Sequence, residues 1–173
     1  MATEANSTKE RGDSIKGLPT GKIGDVEFSR LIIGGNQFSG WSHSRDLPYL
    51  RDLFLAYTSQ ERIMDTLELA EENGVNAILC AACDHLKKYW KERGGKMKWI
   101  AQTHPNSKDL TSNIKRAIDN GASAAYIQGG VGDSFVKAGR VDLLGKAVEF
   151  IKKNGLPAGI GGHSIEVPMA VEK

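Results

Sequence analysis

"SKDLTSNIKRAIDNGASAAYIQGG", Ser107 to Gly130, reads as a helix, an Asn-Gly stop and a short apolar strand that runs into paired glycines. The same cadence recurs on both sides of it. Asn73-Gly74 closes the helix "QERIMDTLELAEENG" ahead of the strand "VNAILCAA", and Asn154-Gly155 closes "RVDLLGKAVEFIKKNG" ahead of "PAGIGGHS". Gly just past a helix accepts the left-handed backbone that ends it, so each Asn-Gly marks a helix-to-strand junction. Earlier strands are expected in "RLIIGGN" and, after the helix "DHLKKYWKERGG", in "MKWIAQTH". Thr58 or Ser59 is placed to cap the helix in which Ile63, Leu67 and Ala70 share a face.

Strands that alternate with helices need crossover connections, which make a parallel sheet. A doubly wound sheet would carry G-x-G-x-x-G after an early strand. "GGNQFSG", Gly34 to Gly40, is glycine-rich but lacks that spacing. The reading is therefore α/β of the (β/α)8 TIM-barrel type. Such a barrel takes about 250 residues, and this chain of 173 supplies five strands and stops within "IEVPMAVEK". The expectation is a barrel truncated after its fifth strand: a disordered arm over residues 1–17, then a partial barrel over 18–173. Unpaired sheet edges in such a piece favour pairing with another copy as a homo-oligomer.

Composition narrows the function classes. A net charge of +2 leaves no basic footprint for nucleic acid. No stretch reaches the roughly 18 apolar residues of a membrane span, and "MATEANSTKERGDSIKG" has no apolar signal-peptide core. A cytoplasmic protein with a small-molecule substrate is expected. Cys80 and Cys83, in C-A-A-C, read as strand-end thiols rather than a redox pair, because the thioredoxin-like context is missing.

Barrel chemistry sits at the C-terminal ends of the strands. All four histidines fall there: His43 in the loop after the first strand, His85 after the second, His104 ending the third and His163 ending the fifth. His163 and His104 are the candidate acid and base, with Asp84 either orienting one of them or capping the helix that follows it. Asn36, Gln102 and Gln128 are placed to hold substrate hydroxyls. Trp41 and His43 line the approach, with Phe38 and Tyr49 completing an aromatic wall. Gly129 and Gly130 let a substrate or phosphate close to the backbone. The same imidazoles and carboxylate also suit a divalent metal such as Zn, Mn or Fe, in a lyase or isomerase. A non-catalytic binding barrel is the third reading.

"LPTGKIGDVEFSRLIIGGNQFSG", "TLELAEENGVNAI" and "LPAGIGGHSIEVPMAVE" together resemble aldo/keto reductases, from about Leu18 to Glu172. The resemblance implies an N-terminal β-hairpin closing the barrel bottom and an NADP(H)-dependent oxidoreductase acting on a small carbonyl or sugar-derived compound. It also implies an Asp/Tyr/Lys/His tetrad, which this sequence does not retain. The Asp position falls on Leu79 or Cys80, the Tyr near Asp84, the Lys on Gln102 or Thr103, and the His on Gly130. The family's fifth-strand nicotinamide contact falls on His163-Ser164, which makes Ser164 the cofactor-binding candidate.

Overall fold

A computed structural model describes residues 17–44 and 46–172. Apart from Gly17, the arm expected over residues 1–17 lies outside the described residues. The chain is a mixed α/β protein. A two-stranded antiparallel hairpin, β1 (Thr20–Ile23) and β2 (Val26–Ser29), precedes a five-stranded parallel sheet. The sheet is built from β3 (Ile33–Gly34), β4 (Ala77–Cys80), β5 (Lys98–Thr103), β6 (Ala124–Ile127) and β7 (Ala158–Ile160). Its spatial order is the sequence order, each strand pairing in parallel with the next. A doubly wound sheet reverses its order at a switch point; no reversal occurs here.

The helices are α1 (Leu50–Tyr57), α2 (Gln60–Glu72), α3 (Asp84–Arg93), α4 (Ser112–Asp119), α5 (Gly129–Lys137), α6 (Val141–Lys153) and α7 (Glu166–Val171). The Asn-Gly stops work as the sequence suggests. Gly74, Gly121 and Gly155 sit at φ of 83°, 88° and 79°, a region that only glycine enters without strain. Ser59 caps α2 by accepting a hydrogen bond from the Arg62 amide at 3.3 Å. α4 starts later than its apolar pattern suggests, because Asn106 Oδ1 accepts from the Lys108 and Asp109 amides to make a turn, and the Asp109 carboxylate then accepts from the Thr111 and Ser112 amides where the helix begins. The cap of α3 differs from expectation too: Cys83 occupies the N-cap and Asp84 is the first helical residue, where its charge complements the helix dipole.

Two helices were not apparent in the sequence. α1 lies in the long loop after β3 and buries none of its residues. α5 begins at the Gly129-Gly130 pair that ends the β6 segment, where helix propensity is poor.

Both faces of the sheet are covered, so the strands read as near-continuous apolar runs. On one face Ile78, Trp99, Ala101, Ala125 and Ile127 pack against the helices, around fully buried Leu67, Ile114, Leu144 and Ile151. Burial of each such side chain contributes about 1.5–3 kcal/mol. On the other face Ala77, Ile100 and Ala124 meet Phe28 and Val26 of the hairpin. The hairpin is anchored there by reciprocal bonds: the Ser29 amide to Asn76 Oδ1 at 2.8 Å, and the Asn76 amide to Ser29 Oγ at 2.9 Å. Lys98 Nζ adds a bond to the Glu27 carbonyl at 2.5 Å. The hairpin thus seals the N-terminal end of this face. The C-terminal end carries polar side chains, Gln102 and Tyr126, paired across β5 and β6.

Candidate active site

At the C-terminal end of the sheet lies a cavity of about 810 Å³. All four histidines line it, together with Asn36, Trp41, Asp84, Gln102 and Gln128. Strand ends carried by a common sheet must converge on one edge, which is why strand-end position alone brings these residues together.

The best-defined constellation is a carboxylate–imidazole pair. Asp133, on α5, accepts from the His163 backbone amide at 2.8 Å through Oδ1 and lies 2.6 Å from His163 Nδ1 through Oδ2. The amide bond, then the imidazole bond, holds the Asp133 carboxyl below its ordinary range, so it is ionised at neutral pH. An ionised carboxylate only accepts, so Nδ1 carries the proton of this hydrogen bond and Nε2 is the ring nitrogen left to face a substrate. The ring is two-thirds exposed, at 68% of its side-chain surface. It lies against the first residue of α5: a Cβ on Gly129 would come within 2.7 Å of His163 Cε1. Gly129 therefore gives room to an imidazole of the chain itself.

A second constellation runs along β5 and β6. The Tyr126 hydroxyl donates to Gln102 Oε1 at 2.6 Å, and Gln102 Nε2 lies 3.4 Å from His104 Nε2, a long contact. Burial raises the Tyr126 phenol above its ordinary value and holds His104 below its own. Both groups are thus neutral at pH 7: a phenol that can donate, and an imidazole that can accept. The His104 backbone is fixed by the Asn113 carboxamide, which accepts from its amide at 2.8 Å.

The remaining candidates are dispersed around these two. Asn36 Nδ2 lies 3.4 Å from His43 Nε2, and His85 Nδ1 lies 2.6 Å from Gln60 Oε1. Gln128 caps α5, its Oε1 accepting from the Val131 amide at 3.2 Å, which leaves its Nε2 free of that bond as a donor. Trp41 lines the cavity with 70% of its surface exposed. Asp84 lines it as well, but among the described residues its carboxylate bonds to no histidine; the carboxylate that orients a histidine is Asp133. Ser164 is not part of the lining. Its hydroxyl serves Glu166 in the first turn of α7, a bond that holds the Glu166 carboxyl below its usual range.

Two participants have no role in the sequence reading: Asp133, placed only as a polar residue just beyond the fourth strand, and Tyr126, not marked at all. Tyr126 had a usable signal, since it stands two residues before Gln128 on a strand and shares a face with Gln102 across the ladder. Asp133 had little, because its contact spans 30 residues and depends on α5.

Among the described residues, no three His, Cys, Asp or Glu side chains are grouped to hold a metal ion. Each imidazole is engaged separately, so the donor set does not fit a divalent cation. The thiols are not nucleophiles either. Burial, with Cys83 nearby, pushes the Cys80 thiol up to about 12, and burial raises Cys83 as well. Iodoacetamide at pH 7.5–8 is therefore expected to label both thiols in urea and neither in the native protein; fast native labelling would contradict this.

Compared with known proteins, the chain matches no family model, no curated protein and no solved structure. Among the described residues, no helix is long and apolar enough to cross a membrane.

Proposed function

We propose that the chain is a (β/α)8-barrel segment whose strand-end cavity catalyses proton transfer on a small hydroxy-carbonyl or sugar-derived substrate. The observation that carries this is His163, bonded to Asp133, lining the same cavity as the Tyr126–Gln102–His104 chain. The monotonic strand order and the hairpin sealing one end support the barrel, and the resemblance to aldo/keto reductases agrees with that scaffold.

The chemistry follows from the protonation states. His163 Nε2, on the ring that the Asp133 carboxylate orients, takes a proton from the carbon beside the substrate carbonyl. The electron pair of that C–H bond becomes a C=C bond, and the carbonyl π pair moves onto oxygen. The Tyr126 hydroxyl turns from Gln102 to that oxygen and supplies a proton as the charge develops. Return of the proton from His163 to the former carbonyl carbon, while the hydroxyl on the adjacent carbon gives its proton to the Tyr126 phenolate and its oxygen becomes the new carbonyl, completes an isomerisation. Gln128 Nε2 and Asn36 supply hydrogen bonds to substrate hydroxyls. The oxidoreductase reading has less support: Ser164, the residue it assigns to nicotinamide, lies outside the cavity lining and bonds to the Glu166 carboxyl.

The test is exchange in D2O. Small aldoses and ketoses incubated with the protein are expected to gain deuterium beside the carbonyl, followed by proton NMR. Tyr126→Phe is expected to slow exchange about a hundredfold, within the usual range for a general acid, while the half-buried ring keeps its packing. Oxidation of NADPH by a carbonyl compound with no exchange would replace this reading with the oxidoreductase.

A further inference from the structure

A second cleft, of about 300 Å³, opens between α3 and α4. Trp99 and Ala117 contribute to its lining, along with Lys87, Arg116, Asn113 and Asn120. It adjoins the main cavity, with which it shares Ala81, Ala82, Asp84 and Gln102. Gln102 Oε1 accepts the hydrogen bond of the Tyr126 hydroxyl, so the cleft begins one side chain away from the proposed acid.

Its charge is unusual for this protein. Lys87 donates to the neutral Asn120 carboxamide, and among the described residues the Arg116 guanidinium makes no side-chain hydrogen bond or ion pair. The nearest acid on α4, Asp119, is already paired with Lys115 at 2.7 Å. Both cations line the cleft together with the Cys83 thiol. Asp84 is the opposing carboxylate in the lining, so one cation remains in excess. An unpaired guanidinium beside an ammonium and two carboxamides offers a phosphate both countercharge and forked hydrogen bonding.

We propose that this cleft between α3 and α4 binds the phosphate group of a sugar phosphate whose carbonyl end lies in the main cavity, with Lys87 and Arg116 as its countercharges. The proposal rests on the acid–base reading of that cavity and adds its substrate class.

The test uses the protein as it stands, with inorganic phosphate and fructose 6-phosphate as probes, by calorimetry and amide NMR. Inorganic phosphate is expected to bind saturably. Arg116→Ala and Lys87→Ala, at exposed positions, should each weaken it about tenfold, the loss of one charge-assisted contact. Lys115→Ala and His163→Ala should leave phosphate binding unchanged. Fructose 6-phosphate should shift the amides of Gln102 and Tyr126 as well as those around Arg116, and fructose should bind more weakly. No saturable phosphate binding, or binding that survives both variants, overturns the site. Phosphate binding without any response at Tyr126 to fructose 6-phosphate overturns the link to the main cavity. Because phosphate binding is read at equilibrium, it can succeed while the His163 exchange test fails, and the reverse.

Discussion

Replacing His163 with alanine is expected to lower proton exchange by about a hundred- to ten-thousandfold, the range for removing a general base. The ring is mostly exposed, so the melting temperature should stay close to that of the parent. Asp133→Asn should fall nearly as far for a different reason. A carboxamide can no longer be relied on to accept from Nδ1–H, so the tautomer with a free Nε2 loses its preference. A purely structural role for the pair predicts parallel losses of stability and activity. The catalytic role predicts lost activity with stability kept, and a changed pH profile. The sign of the linkage supports that separation. The Asp133 carboxyl lies below its ordinary value of 3.8, so the stability it contributes is present above that value and is lost only as the pH falls through the lower folded one. Near neutral pH the pair can therefore be varied for activity without an acid-unfolding artefact. Unaltered exchange in His163→Ala would remove the base from the scheme.

Much of the scaffold is legible in the sequence because its signals are local. The Asn-Gly stops fix three helix ends through the backbone freedom of Gly74, Gly121 and Gly155. The apolar runs mark strands buried on both faces, and the alternation of elements gives the parallel sheet. The gathering of the histidines is legible for a related reason, since position at a strand end is a one-dimensional property that the sheet converts into proximity. What stays hidden is non-local or runs against propensity. α5 starts on glycines that favour no helix, so Asp133 reads as a loop residue. The Asp133–His163 contact joins segments 30 residues apart, and no spacing rule reports it. Asp84 looked like the orienting acid because it follows the second strand at the same mouth as His104 and His163; in the fold it is the first residue of α3, and among the described residues its carboxylate bonds to no histidine.

Gly132→Ala is expected to be the most disruptive single methyl in the site region. Gly132 is buried in α5, and a Cβ there would lie 2.1 Å from the Gly161 carbonyl oxygen at the end of β7. That neighbour is backbone and cannot swing aside, so the helix must move away from the strand. Overpacking of this kind costs about 3 kcal/mol, or roughly 6–12 °C in melting temperature for a chain of this length. Gly145→Ala is the opposite case. It sits inside α6 with nothing within 4 Å of its added Cβ, so the change should stabilise by about 0.5–1 kcal/mol through helix propensity alone. Equal melting temperatures for the two variants would mean that the α5–β7 approach is looser than the structure has it. The same displacement bears on function. Asp133 follows Gly132 directly, and moving α5 off β7 draws the carboxylate away from His163, whose amide and ring it holds at 2.8 and 2.6 Å. Gly132→Ala protein kept cold enough to remain folded should thus resemble Asp133→Asn in exchange rate. The glycines that make α5 hard to read in the sequence are the ones whose lack of a side chain lets the pair form.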